Sequence, residues 1–296
     1  MRAFLTGASG FVGGHLAAHL TASGDEVSAL DGHNDLLDRE ALREQLAAAA
    51  PEAIYHLAAL THVGRSWEDP AETMRVNVLG TLELLEAART LGSPRVLLVS
   101  SAEVYGAGEG RELDEEAPLR PISPYAASKV SAEYLGLQAF LGRGLPVVRA
   151  RPFNHVGPGQ SDAFVVSALA LRVVEAERAG GGEVRVGNLG AARDFTDVRD
   201  VVRAYRLLVT EGEAGGVYNV CSGRPRTIAS LLEGLIARSP AEIRAVVDPA
   251  LFRPVDIPLL SGSGKRLEAL TGWRPEIDLE RTLDDVLAAY REQEAG

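Results

Sequence analysis

The chain has 296 residues, 46% of them hydrophobic, a formal net charge of −11 and a single cysteine. That length and apolar content suffice to bury one large core, or a large domain with a smaller one built from the tail. The acidity argues against holding a nucleic-acid backbone on a basic face, and one cysteine excludes an internal disulfide.

No run of about 18 apolar residues is present to span a bilayer. The first apolar stretch is already part of a motif, which leaves no room for a signal peptide ahead of it, so the expected compartment is the cytoplasm. Cys221, in "VYNVCSG", reads as a small buried strand residue rather than a nucleophile.

The first predicted element is the strand "RAFLTG", and "TGASGFVGGHL" follows it directly. Gly7, Gly10 and Gly13 allow a tight turn and let the backbone approach a pyrophosphate. Phe11 and Val12 open a helix whose positive end would receive that pyrophosphate. Val12, Leu16 and Leu20 recur every four residues, as an amphipathic helix requires. His15 and His19 are also four apart, but with no third ligand in view they read as packing residues, and no metal site is expected.

The second strand, "EVSAL", ends at Asp31. A carboxylate there can accept the adenosine ribose hydroxyls and would repel a 2′-phosphate, which favours NAD(H); with Arg39 close in sequence, NADP(H) remains an alternative. A helix with Leu42 and Leu46 follows, then the strand "AIYHLA", whose His56 reads as buried and satisfied. His62, in "LTHVGRSW", lies in a segment that could face substrate or not.

The fourth strand, "RVLLVS", runs into "SAEVYG" and so places Ser101 and Glu103 at a strand end. "SPYAASK" then puts Tyr125 and Lys129 four apart on one helix face, with Ser123 and Pro124 as the start signal. A lysine beside a phenol, together with the nicotinamide's positive charge, is expected to lower the phenol's pKa toward neutrality. Ser101 can bond the same substrate oxygen, and hydride transfer at a carbinol or ketone carbon needs this combination. A fifth strand, "LPVVRAR", completes an alternation of strands and helices that predicts an α/β fold: a Rossmann doubly wound parallel sheet.

After about residue 155 the rhythm changes to Gly-rich connections and shorter strands, "GEVRVGN" and "GVYNV". Apolar stripes mark helices around Val201 to Val209, Ile228 to Ile236 and Leu279 to Tyr290. The expected organisation is a nucleotide-binding domain over 1–155 and a smaller C-terminal substrate-binding lobe over 156–296, with some segments returning to the main sheet.

The glycine loop, the Ser-bearing strand end and the Tyr-x-x-x-Lys helix, in this order, resemble the extended short-chain dehydrogenase/reductase family of nucleotide-sugar epimerases, dehydratases and reductases. The resemblance covers essentially the whole chain. It implies Ser101, Tyr125 and Lys129 as the catalytic triad, Leu57, Ala58 and Ala59 lining the cofactor, and Asp35 and Leu36 near the adenine. It also implies a homodimer formed by helices around 70–91 and 123–141, although the apolar content of those helices fits core equally well.

The segments "RPFNHVGPGQ", "VGNLGAARDFTDVRD", "FRPVDIP" and "TGWRP" resemble the branch of that family that handles GDP-mannose derivatives. By this resemblance Asn154 contacts the sugar diphosphate of a GDP-hexose, and Arg193 and Arg253 clamp its phosphates; a salt bridge to Asp194 or Asp197 is the other reading of Arg193. The activity implied is NAD(P)H-dependent reduction of the C4 keto group of GDP-4-dehydro-6-deoxy-D-mannose to GDP-D-rhamnose. GDP-mannose 4,6-dehydration and nucleotide-sugar 4-epimerisation are the alternatives, and a non-catalytic NAD-sensing protein on the same fold is a rival of another class.

Many nucleotide-sugar dehydratases carry Thr-Asp-Glu where this chain has Ser101, Ala102 and Glu103, and an alanine cannot transfer a proton. Glu103 is therefore either the base of a dehydratase or a residue that orients substrate beside Ser101.

Overall fold

The short β-branched runs pair in parallel. In the computed structural model, which describes residues 1–30, 36–251 and 257–293, the strands in chain order are β1 (Arg2–Thr6), β2 (Glu26–Ala29), β3 (Ala53–His56), β4 (Arg95–Val99), β5 (Glu112–Leu113), β6 (Val147–Pro152), β7 (Asn154–Val156), β8 (Gly182–Val186), β9 (Ala192–Asp197), β10 (Val217–Val220), β11 (Pro225–Thr227), β12 (Ile243–Val247) and β13 (Leu259–Gly262). Six of them form one parallel sheet in the order β10-β6-β4-β3-β1-β2. Every residue of β3 and β6 is buried, because helices cover both faces.

The strand order reverses between β1 and β3. In an open α/β sheet, ligands bind in the crevice outside the carboxyl ends of the strands at such a point. Here the loops that leave β1 and β3 there are Gly7–Gly10 and Leu57–Ala59.

The smaller lobe holds the β11-β9-β13-β5 sheet, with β7 beside β9, and the parallel β8–β12 pair. Helices Val165–Arg178, Ile228–Ile236 and Leu279–Gln293 close its own core around Val173, Leu232 and Leu287. The apolar stripe at Val201 to Val209 behaves differently. Helix Val198–Glu211 packs Val201, Tyr205 and Leu208 against Leu16, Leu20 and Leu5 of the large lobe. It is the crossover that delivers β10 to the main sheet, and a parallel neighbour to β6 requires such a crossover. The two lobes therefore interleave past residue 155.

Asp200, on that returning helix, fixes the segment after residue 271. Its carboxylate accepts the Glu276 and Ile277 amides, each at 2.9 Å, and Arg203 at 2.8 Å. Its carbonyl takes the Trp273 indole N–H at 3.1 Å. Among the described residues no helix is long and apolar enough to cross a membrane.

Asp200→Ala leaves the Glu276 and Ile277 amides without their acceptor and should lower the unfolding free energy by about 2 kcal/mol or more, as judged from the cost of unpaired polar groups. Chemical denaturation measures it, and an unchanged midpoint would remove Asp200 from this role.

Candidate active site

The loop after β1 is built on close approach. A Cβ at Gly13 would lie 2.0 Å from the Gly7 carbonyl oxygen, and one at Gly7, where φ is +75°, would lie 2.8 Å from the Ala58 amide nitrogen. Both positions need glycine, and this contact seats the first loop on Leu57 and Ala58. Helix Phe11–Ala22 starts at Gly10 without a side-chain cap, which leaves its first-turn amides directed at the crevice. Phe11 stacks on His155, and His15 Nε2 bonds the Pro158 carbonyl at 2.9 Å, so His15 serves packing. Among the described residues no group of His, Cys, Asp and Glu could hold a metal ion.

Ser101, Glu103, Tyr125 and Lys129 come together beyond the carboxyl end of β4. Ser101 caps the turn Ala102–Tyr105, its hydroxyl accepting the Glu103 amide at 3.2 Å. Helix Pro124–Arg143 is started by Ser123, which accepts the Ala126 amide at 3.1 Å, and by a proline in its first turn. Its Lys129 reaches back to donate to the Val99 carbonyl at 2.9 Å. The Ser101 hydroxyl stands near enough to the Tyr125 phenol to favour its ionised form.

Burial dominates the titration of this group. It pushes the Tyr125 phenol up to about 12; the Ser101 hydroxyl opposes the rise, and the Glu103 carboxylate adds to it. Burial also brings the Lys129 ammonium down to about 8, against the raising pull of Glu133. The lowering of the phenol expected from the Tyr-x-x-x-Lys spacing is thus absent among the protein's own groups. Desolvation sets the phenol, and the Lys129 ammonium points at the Val99 carbonyl.

A buried polar chain links this helix to the glycine loop. The Thr81 hydroxyl donates to the Asn77 carbonyl at 2.6 Å, so His56 Nε2 donates to Thr81 at 2.9 Å and His56 Nδ1 accepts from Thr6 at 2.8 Å. Thr6 in turn accepts the Ala58 amide. Asn77 sits in a π-helical turn, Arg75–Leu79, and bonds both backbone groups of Leu60 as well as Ser128, which bonds the Tyr125 carbonyl. Burial depresses His56 to about 3, with Lys129 as a second cause, so this histidine stays neutral.

The sequence passed over Thr6, Asn77, Thr81 and Ser128. Their signal is weak, because each is a common polar residue whose partner lies far along the chain.

The remaining expected residues are more scattered. Leu36 is buried against Gly80. Asn154 opens β7, half-buried, opposite Phe195. The Arg193 guanidinium donates to the Ala192 and Ile257 carbonyls. The acids offered as its alternative partners are engaged: Asp194 holds Ser222 and Gly223, and Asp197 holds Arg199 and Thr282. His62 is exposed, and its Nδ1 accepts the Arg65 amide as the cap of helix Val63–Glu68. Asp31, Asp35 and Arg253 lie outside the described residues.

The fold and this grouping define an extended short-chain dehydrogenase/reductase. Within that class the chain belongs to the family described as GDP-mannose 4,6 dehydratase, which matches residues 32–286. GDP-6-deoxy-D-mannose reductase of Pseudomonas aeruginosa is 41% identical, over 98% of this chain and 97% of its own. Among solved structures, RMD from Pseudomonas aeruginosa complexed with NADPH superposes with a TM-score of 0.92 at 38% identity, covering 99% of this chain and 100% of that one. UDP-glucose 4-epimerase of Thermus thermophilus in complex with NAD gives 0.87 at 31% identity, covering 98% and 99%.

A nicotinamide dinucleotide fits the residues present. The glycine loop is a cradle that a Cβ would fill, and the uncapped helix start suits a pyrophosphate.

Gly13→Ala should therefore weaken dinucleotide binding more than tenfold, whereas Gly14→Ala, whose Cβ would meet nothing within 4 Å, should leave binding unchanged. Fluorescence titration with NADH and NADPH reads both. A second expectation concerns pH. The folded-state pKa of His56 is depressed below the ordinary 6.5, so the stability it contributes is complete above pH 6.5 and is lost as pH falls toward about 3. Between pH 7 and pH 4.5 (about the middle of that window), His56→Gln should lose less unfolding free energy than the unsubstituted protein; equal losses would count against a buried neutral histidine.

Proposed function

We propose that this chain is a nucleotide-sugar reductase that uses NAD(P)H to reduce the C4 keto group of GDP-4-dehydro-6-deoxy-D-mannose to GDP-D-rhamnose. The observation that carries the reading is the Ser101–Tyr125 hydroxyl pair, backed by buried Lys129, at the carboxyl end of the parallel sheet. The choice of substrate is supported by the 41% identical reductase, which matches almost end to end.

When bound, the reduced dinucleotide supplies the hydride. Ser101 positions the keto oxygen, Tyr125 gives its proton to the oxygen that becomes the alcohol, and Lys129 holds Tyr125 and the nicotinamide ribose. A phenol held near pKa 12 keeps its proton until charge develops on that oxygen, as a general acid must. Leu57, Ala58, Ala59, Leu36 and Asp35 border the dinucleotide, and Asn154, Arg193, Arg253 and His62 meet the sugar nucleotide.

Asp31 supports NAD(H), and Arg39, the nearby cation that would suit a 2′-phosphate, is held by Glu83. The NADPH carried by RMD makes NADP(H) the alternative. Residues 1–155, with helix Val198–Glu211 and β10, serve the dinucleotide; the rest of 156–296 serves the substrate. Leu79, Tyr134 and Leu141, exposed by 48%, 58% and 73% along the helices around 70–91 and 123–141, support a homodimer through that face. The enzyme works in the cytoplasm, where charged, membrane-impermeant substrates are retained.

One observation favours a second reading, GDP-mannose 4,6-dehydration. The Glu103 carboxylate raises the Tyr125 pKa and so stands near enough to the reacting group to be a candidate for taking the C5 proton. Incubation with GDP-mannose alone, and separately with the keto sugar plus NADH or NADPH, distinguishes the two. The reductase consumes cofactor only with the keto sugar, and its product gains two hydrogens. Loss of water from GDP-mannose without net cofactor consumption would install Glu103 as the base instead. Tyr125→Phe should cut kcat by about 10²- to 10⁴-fold while retaining dinucleotide binding; full activity in that variant would exclude the proton-donor role.

A further inference from the structure

Tyr125, Lys129 and Glu133 follow one another at intervals of four along helix Pro124–Arg143, so all three lie on one face. Glu133 is completely buried. Arg151, from β6, grips its carboxylate with Nε at 2.9 Å and Nη2 at 2.8 Å, and Arg149 stands at 3.9 Å. The rest of the Arg151 fork reaches elsewhere. Its Nη1 donates to the Tyr105 hydroxyl at 3.0 Å and to the Glu115 carbonyl at 3.2 Å, and the guanidinium lies over the Tyr105 ring at 5.0 Å. Tyr105 ends the turn that Ser101 caps.

A buried ion pair is weak evidence for stability, since apolar residues of similar volume often do as well; a role in fixing geometry or charge needs its own test. We infer that Glu133 is a positioning residue: its carboxylate, shared with Arg151, keeps Lys129 charged and joins the helix of Tyr125 to the turn of Ser101. The inference rests on Lys129 belonging to the reacting group.

The groups that face Lys129 fix the sign. Tyr125 and Glu133 come from its own helix, neutral His56 from β3, and the Val99 carbonyl from β4. Ser101 and Glu103, from the turn after β4, act on Tyr125, and Arg149 and Arg151 of β6 stand behind Glu133. Burial favours loss of the Lys129 proton, and the Glu133 anion opposes it. Without the anion the lysine titrates at lower pH. Without Arg151 the anion is less neutralised, and the lysine titrates at higher pH.

The chain makes the test direct, because it has only two lysines, Lys129 and the exposed Lys265. Lysine-labelled, ligand-free protein gives two side-chain NMR signals, and Lys265→Arg assigns them. The variants are Glu133→Gln, Arg151→Met and the double Glu133→Met/Arg151→Met. The double variant replaces both charges at once and keeps the test available if either single variant fails to fold.

The Lys129 midpoint should fall in Glu133→Gln, rise in Arg151→Met and fall in the double variant, with the alkaline limb of kcat following each shift. An unchanged midpoint in the double variant, or the same direction in both single variants, overturns the inference. The titration needs neither substrate nor cofactor. If the Lys129 signal shifts while the kcat limb stays, the effect of Glu133 on the lysine stands, and the reading of Lys129 as part of the reacting group fails.

Discussion

The site depends on one bond made by a buried cation. Lys129 lies inside the protein, and its ammonium donates to the Val99 carbonyl at the last residue of β4. Lysine is rarely buried, because desolvation disfavours its charged form. Here that penalty is met by a carbonyl at the sheet's open end and by the Glu133 anion one helical turn away. The bond sets where the helix of Tyr125 stands relative to β4, and the next residues of the chain after β4 carry Ser101. Two hydroxyls and an ammonium therefore converge although the helix and the strand end are separate elements.

Neutral polar bonds hold the other side of the crevice. Gly7 and Gly13 let the first loop sit on Leu57 and Ala58, and Thr6, His56, Thr81, Asn77 and Ser128 carry a chain of hydrogen bonds from that loop to the backbone of Tyr125. Each buried polar group in it has a partner, so the network fixes one arrangement without the cost of unpaired groups. A neutral His56 matters because a second cation beside Lys129 would further disfavour the charged lysine. The π-helical turn at Asn77 is the local distortion that lets one side chain bond Leu60 and Ser128 together.

Much of this was legible in the sequence because its signals are local. Five short β-branched runs gave the first five strands of the sheet, the glycine spacing gave the loop, and the interval of four put Tyr125 and Lys129 on one face. The same interval continues to Glu133 and could have been extended. What stayed hidden depends on partners distant in the chain. Arg151 meets Glu133 and Tyr105 only after β6 has paired with β4. The stripe at Val201–Val209 has the period of any amphipathic helix, and only the pairing of β10 with β6 decides that it belongs to the large lobe. His62 could face substrate or not by sequence, and its capping of a helix of six residues shows only once Arg65 folds back onto it. The rise that burial gives the Tyr125 phenol was hidden for a similar reason: spacing reveals neighbours, whereas burial is a property of the whole fold.

The central claim is that hydride passes from a reduced dinucleotide to C4 of the sugar, with Tyr125 supplying the proton. Transfer of label tests it most directly. The keto sugar is incubated with NADH or NADPH carrying deuterium at both C4 positions of the nicotinamide, and the product is read by NMR. Deuterium is expected at C4 of a 6-deoxyhexose on GDP, with one cofactor oxidised for each product formed. Product that carries no deuterium, or turnover that leaves the cofactor reduced, would contradict the claim.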